Sequence, residues 1–260
     1  MQPINLQEIP TEIKNYINIQ SIAFPRQGCT SDVGIITSDQ GCFALKRTKK
    51  PQFNAWLKKE IMVLRCLKKE TSLLVPRVEK FVELEGQSWA LLEYLEGETV
   101  RAALTKTHNK RMREEILVNF GKIVSDIHAT PCPETLKNKK IWLGDMLDQA
   151  VYNLQNYEVD GSEDLLEQIK KNRPSNRKQT LIHGDLTIDN VLVHYGVVTG
   201  IIDWSGGAFG DPRYDVSLAI RPKKAVFDWE GDKVSFFKGY GECILTEGDY
   251  NYFLDLYEYF

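Results

Sequence analysis

Two short apolar runs joined by Tyr195-Gly196, with acid and amide groups at their outer ends, restrict this chain more than any other stretch. The runs are Asn190–Leu192 and Val197–Ile202. Apolar segments of that length about a Tyr-Gly pair read as a β-hairpin. A hairpin pairs its ends, so Asp185 and Asn190 on one side and Asp203 on the other are expected to be neighbours. Such a set suits phosphoryl transfer. One carboxylate takes the proton of the attacking hydroxyl, and hard oxygens hold the magnesium that neutralises phosphate charge. Gly184-Asp185 alone would be an ordinary turn pair; the complete set carries the reading.

The spacing sharpens it. His183-Gly-Asp185 through Asn190 matches the H-x-D-x-x-x-x-N catalytic loop of kinases, and Asp203 stands where the metal-binding Asp of D-F-G stands. Asp185 is therefore the expected catalytic residue, and Asn190 and Asp203 the expected magnesium ligands.

The segment before the hairpin has the order of a nucleotide-binding lobe. Strands are expected at Val33–Thr37 and Cys42–Arg47, joined by Ser38–Gly41, and at Val78–Leu84 and Ser88–Tyr94, joined by Glu85-Gly-Gln87. Between them the apolar spacing of Leu57, Ile61 and Leu64 predicts a helix over Asn54–Lys69, with Asn54 as its N-cap. Gly28-Cys-Thr30-Ser31-Asp32 is the candidate phosphate loop, with Gly28 for close backbone approach and hydroxyls on Thr30 and Ser31. Alternation puts Ala44 and Lys46 on one strand face. Lys46 would reach the phosphates and Glu60 would be its ion-pair partner. Backbone groups of Glu93, Tyr94 and Leu95 would meet the adenine edge, and Gly97 would turn the chain into a second, helical part. Helices are expected there at Arg113–His128, Trp142–Leu154, Glu163–Lys171 and Asp249–Tyr259. Asp215 is read as a structural cap for nearby N–H groups and His128 as structural.

Composition narrows the function classes. The 260 residues carry a net charge of −3, which gives no basis for nucleic acid as a partner. No apolar run reaches membrane-spanning length, and the first residues lack the basic and apolar regions of a signal peptide. The five scattered cysteines form no metal-ligand pattern. A cytoplasmic protein, monomer or dimer, is the expectation, with a nucleotide and a small molecule as its partners.

With these pieces in order, the chain resembles the aminoglycoside phosphotransferase and choline kinase superfamily. The residues that carry the resemblance are His183–Asn190, Ile202-Asp-Trp204 and Gly210-Asp-Pro-Arg-Tyr-Asp215. It implies an α+β, two-lobed protein-kinase-like fold, with a β-rich nucleotide lobe over 1–95 and a helical catalytic and acceptor lobe over 96–260. It also implies ATP, or GTP, with Mg2+, and transfer to a small-molecule hydroxyl. Within the superfamily, the stretch Arg213–Arg221 and the ending Asp255-Leu-Tyr-Glu-Tyr-Phe260 are similar to aminoglycoside 3'-phosphotransferases. By that resemblance Arg221, Glu258 and Phe260 would line the acceptor pocket, and the acidic loop with Asp160 and Glu163 would be its other wall. The acidic residues after Arg221, among them Asp228, Glu230 and Asp232, would suit a cationic drug or make a solvated surface. The sequence departs from that pattern at Pro222-Lys223-Lys224, at Tyr257 and at Ser205-Gly206. Choline, homoserine, a sugar or a macrolide stay open as acceptors. A nucleotide-binding protein without turnover and a protein kinase are the readings from other classes.

Overall fold

The computed structural model describes residues 4–137, 140–223, 226–227 and 230–260. Lys224, Asp228 and the side chain of Glu230 lie outside the described residues. The chain forms two compact units, Met1–Glu96 with Gly200–Ser205, and Gly97–Thr199 with Gly206–Phe260.

The first unit opens with a short helix α1 (Thr11–Lys14). Its strands are β1 (Ile19–Ala23), β2 (Asp32–Ser38), β3 (Gly41–Thr48), β4 (Val78–Leu84) and β5 (Gln87–Glu93), with helix α2 (Pro51–Glu70) between β3 and β4. They make one antiparallel sheet in the order β1-β2-β3-β5-β4. The β4–β5 turn places Glu85 at φ 51 and Gly86 at φ 74, the backbone twist that closes a two-residue hairpin. Alternation sends Phe43 and Leu45 into a core with Ile13, Ile17, Ile36, Trp89 and Leu91. Ala44 and Lys46 take the other face. The buried stripe of α2 holds Leu57, Ile61, Leu64 and Leu67, each worth about 1.5–3 kcal/mol by burial.

Two sequence expectations change here. Helix α2 starts at Pro51, not Asn54, because proline at a first helical position has no N–H to lose. Asn54 is no cap. Its side chain accepts from Thr48 Oγ1 at 2.6 Å and donates to the Gly86 carbonyl at 2.6 Å, tying the helix start to the β4–β5 turn. The segment Gly200–Ser205 is fixed to this unit by the Ile201 N–H on the Leu74 carbonyl at 2.8 Å and by buried Trp204.

The second unit holds β6 (Glu98–Thr99), α3 (Val100–Lys106), α4 (Lys110–Ala129), α5 (Trp142–Asn156), α6 (Glu163–Lys171), β7 (Thr180–Ile182) and β8 (Val191–His194). Strand β9 (Val197–Ile201) leaves it for Gly200–Ser205. Then come β10 (Ala208–Gly210), α7 (Pro212–Ala219), α8 (Glu230–Tyr240) and α9 (Glu247–Tyr257). The small sheets are β6-β8-β9 and β10-β7. The expected hairpin is present: β8 and β9 turn at Tyr195 (φ 48) and Gly196 (φ 80). Trp142, Leu147, Leu166, Ile169, Tyr214, Phe253, Leu256 and Tyr259 form one core under α5, α6, α7 and α9. Helix α4 begins three residues earlier than expected, behind Asn109, whose side chain accepts from two helix N–H groups. Helix α9 runs from Glu247 to Tyr257, not Asp249 to Tyr259, because Thr246 and Asp249 form a capping box. No helix among the described residues is long and apolar enough to cross a membrane.

Candidate active site

In the first unit, β3 points Lys46 toward α2, and Glu60 and Asp203 meet it there. Lys46 Nζ donates to Glu60 Oε1 at 2.7 Å and pairs with the Asp203 carboxylate. Lys46 and Glu60 are 8% and 5% exposed. Burial by itself would lower the lysine pKa, but Asp203 and then Glu60 more than reverse it and hold the ammonium above its usual range. Asp203 has φ 65, a left-handed backbone that costs a non-glycine residue about 1–3 kcal/mol. Its side chain is 42% exposed, so the carboxylate is also open to a ligand.

The loop between β1 and β2 carries Gly28, Thr30 and Ser31. It is held by Gln27, which the sequence reading did not single out. The Gln27 amide donates to the Pro25 and Val33 carbonyls at 2.6 and 3.0 Å and accepts from the Val33 N–H at 2.7 Å. A Cβ on Gly28 would meet nothing within 4 Å. The protein alone therefore does not require glycine there, and any need for it would come from a bound group.

Of the backbone groups expected at an adenine edge, the Glu93 N–H is already used within this unit. It donates to the Arg77 carbonyl at 2.8 Å, and the Glu93 carboxylate accepts from the Arg77 N–H at 2.9 Å and from Lys68 at 3.4 Å. Pairing with the strand before it spends that donor, which leaves Tyr94 and Leu95 as the candidate N–H donors.

In the second unit, β7 delivers the loop 183–190. Asp215, fully buried on α7, accepts from the N–H groups of His183 at 2.6 Å and Gly184 at 2.8 Å. His128 approaches Asp215 through Nε2 at 3.4 Å and Tyr240 through Nδ1 at 2.9 Å. Gly184 has φ 78, and a Cβ there would lie 2.3 Å from the Gly206 carbonyl oxygen. Only glycine permits that approach. His183 is a buried brace: its Nδ1 accepts the Asp185 N–H at 3.2 Å. Asn190 Nδ2 donates to the Asp185 carbonyl at 2.7 Å and to Oδ2 at 3.0 Å, so both bonds use the nitrogen end of the amide. Asp189 is held by Arg101 through two bonds of 2.5 Å.

Some of the residues expected around an acceptor also meet. Arg221 donates to Glu258 at 2.8 Å. The Gly161 N–H meets the Glu258 carbonyl at 3.0 Å, and the Tyr259 hydroxyl meets the Ser162 carbonyl at 2.6 Å, so the acidic loop lies on the terminal segment. Asp160 and Glu163 are exposed, and Phe260 is 39% exposed. Sequence reasoning missed Tyr257 as a site residue. Its hydroxyl donates to Asp185 Oδ1 at 3.0 Å, and the only signal was its departure from the family ending.

The structure thus groups Lys46, Glu60 and Asp203 in one unit, and Asp185, Asn190 and Tyr257 in the other. The model of the phosphotransferase enzyme family matches residues 21–243. The chain is 26% identical to an aminoglycoside 3'-phosphotransferase of Niallia circulans over 212 residues, 78% of this chain and 79% of that protein. It is 22% identical to mouse acyl-CoA dehydrogenase family member 10 over 175 residues, 63% of this chain but only 16% of that much longer protein. Among solved structures, the aminoglycoside-3'-phosphotransferase of type VIII superposes with a TM-score of 0.78 at 21% identity, covering 92% of this chain and 93% of that one. Spectinomycin phosphotransferase, in complex with ADP and spectinomycin, superposes with a TM-score of 0.68 at 17% identity, covering 98% and 85%. The kinase-like α+β fold read from the sequence is the one these structures share.

Proposed function

The chain belongs to the phosphotransferase enzyme family, and we propose that it moves the γ-phosphate of ATP, with magnesium, to a hydroxyl of a small molecule, an aminoglycoside being the first acceptor to test. The observation that carries this reading is the buried Lys46 held between Glu60 and Asp203. Burying Lys46 and Glu60 costs several kcal/mol by order of magnitude, and apolar side chains at the two positions would serve the fold as well. The cost makes sense where the ammonium and a carboxylate have phosphates and a cation to meet.

In this reading Lys46 binds the α- and β-phosphates and the Gly28, Thr30 and Ser31 loop covers them. The N–H groups of Tyr94 and Leu95 bond the adenine. Asn190 and Asp203 would hold magnesium through one amide and one carboxylate oxygen, hard donors of the kind that cation takes. Bound there, the cation neutralises charge on the transferring phosphoryl group. Asp185 orients the acceptor hydroxyl and takes its proton as the new O–P bond forms and the bond to the nucleoside diphosphate breaks. The protein would work where ATP is held, in the cytoplasm.

The relatives named for aminoglycosides support that acceptor class. The Arg221–Glu258 pair supports a second reading, a choline, homoserine, sugar or macrolide kinase, because the carboxylate expected to hold a drug's amine is already paired. An ATP-consumption screen across these acceptors, with Asp185→Asn alongside, tests both. We expect turnover on one acceptor class, and a fall of about 10²–10⁴ in the variant with ATP affinity kept. Undiminished turnover in Asp185→Asn would remove Asp185 from the chemistry.

A further inference from the structure

Both oxygens of Asp185 are tethered, and by different elements. Asn190 Nδ2 holds Oδ2 at 3.0 Å from within the loop. The Tyr257 hydroxyl holds Oδ1 at 3.0 Å from the end of α9, 72 residues away in the chain. Rotating the carboxylate would break both bonds at once. We propose that Tyr257 is a positioning residue for Asp185: its phenol fixes the carboxylate plane so that the remaining lone pairs face the acceptor hydroxyl. The proposal rests on Asp185 being the proton acceptor.

A phenol suits this place. Burial, then the Asp185 charge and the hydrogen bond to it, push the Tyr257 pKa up, so the group stays a neutral donor over the whole working range. A carboxylate in its place would repel Asp185. Tyr257 is itself held: the Arg221 guanidinium lies over its ring at 5.5 Å, and the Tyr214 ring is 6.4 Å away. The charged and titratable groups around the pair are Arg221 and Glu258 on the phenol side, and Tyr214 beneath it. Lys223 feels Asp185 and Asp189 as well as Arg101, and the His183 ring sits on the Asp185 N–H.

Tyr257→Phe keeps the ring and removes the donor. In the full chain, turnover, both KM values and the unfolding temperature are compared for the parent, Tyr257→Phe, Asp185→Asn and the double variant. We expect Tyr257→Phe to lower turnover roughly tenfold, the worth of one charge-assisted hydrogen bond, with nucleotide KM and unfolding temperature unchanged. On the Asp185→Asn background the same change should cost nothing further, because the phenol acts through that carboxylate. Unchanged turnover in Tyr257→Phe overturns the proposal. So does an equal fall on both backgrounds, and so do turnover, nucleotide affinity and unfolding temperature all lowered together, which is the signature of packing. If Asp185→Asn itself turns over normally, the catalytic reading of Asp185 fails, whereas normal turnover in Tyr257→Phe beside an inactive Asp185→Asn overturns the positioning role alone.

Discussion

Asp203 concentrates the costs of the site in one residue. It holds a left-handed backbone, keeps its side chain half open to solvent, and supplies one of two anions to a buried lysine. Because the folded pKa of Lys46 lies above its ordinary value, the lysine contributes fully to stability below that ordinary value as long as the two carboxylates stay ionised. The contribution is lost as pH climbs through the raised folded pKa, in the strongly alkaline range. Asp203→Ala should make nucleotide affinity independent of magnesium, measured by calorimetric titration with and without the cation. A magnesium dependence equal to the parent's would take Asp203 out of the metal site. Lys46 and Glu60 were legible in the sequence because strand alternation and helix periodicity each fix a face. Gln27 was not, because its partners depend on the path of an irregular loop.

The least readable element was α8, whose residues drew notice only for their acidity. Its place depends on a close crossing with α4. A Cβ on Gly121 of α4 would lie 2.0 Å from the Phe236 carbonyl oxygen, and one on Gly239 of α8 would lie 1.9 Å from that of Val118. Backbone meets backbone, so nothing flexible can give way. Gly121→Ala is expected to lower stability in urea by about 1–3 kcal/mol or more. Gly144→Ala on α5, where a Cβ meets nothing within 4 Å, should instead raise it by about 0.4–1 kcal/mol. Equal effects at the two glycines would mean that the helices do not cross closely. Arg113 reinforces the crossing through two bonds of 2.8 and 2.5 Å to buried Asp232. The sequence places these two residues 119 positions apart with no pattern joining them.

On the scale of the chain, the terminal residues belong to the core of the second unit. Tyr259 is fully buried, its carbonyl accepts from Asn153 at 2.8 Å, and a Cβ on Gly161 would strike its ring at 2.4 Å. Removing Phe260 alone should leave the unfolding temperature nearly unchanged. Removing Tyr259 as well opens a cavity and is expected to cost about 3–5 kcal/mol, read as a large drop in that temperature. Similar temperatures for the two truncations would show that the tail is only laid on the surface. Acceptor selectivity is therefore better probed by Glu258→Gln than by deletion, since truncation confounds binding with folding.

The sequence by itself determined the reaction class and most of the elements. A hairpin turn, a two-residue strand period and the catalytic-loop spacing are local, and backbone geometry makes local patterns binding. It named Asp185, Asn190, Asp203, Lys46 and Glu60 as candidates, and it read Asp215 as a structural cap for nearby N–H groups. Tertiary structure alone decided that Tyr257 reaches Asp185, that Arg221 neutralises Glu258, and that Glu93 spends its N–H on Arg77. Those contacts join residues far apart in the chain. They depend on how helices seat in a packed core, where small differences in volume and register redirect a side chain and no sequence period records the outcome.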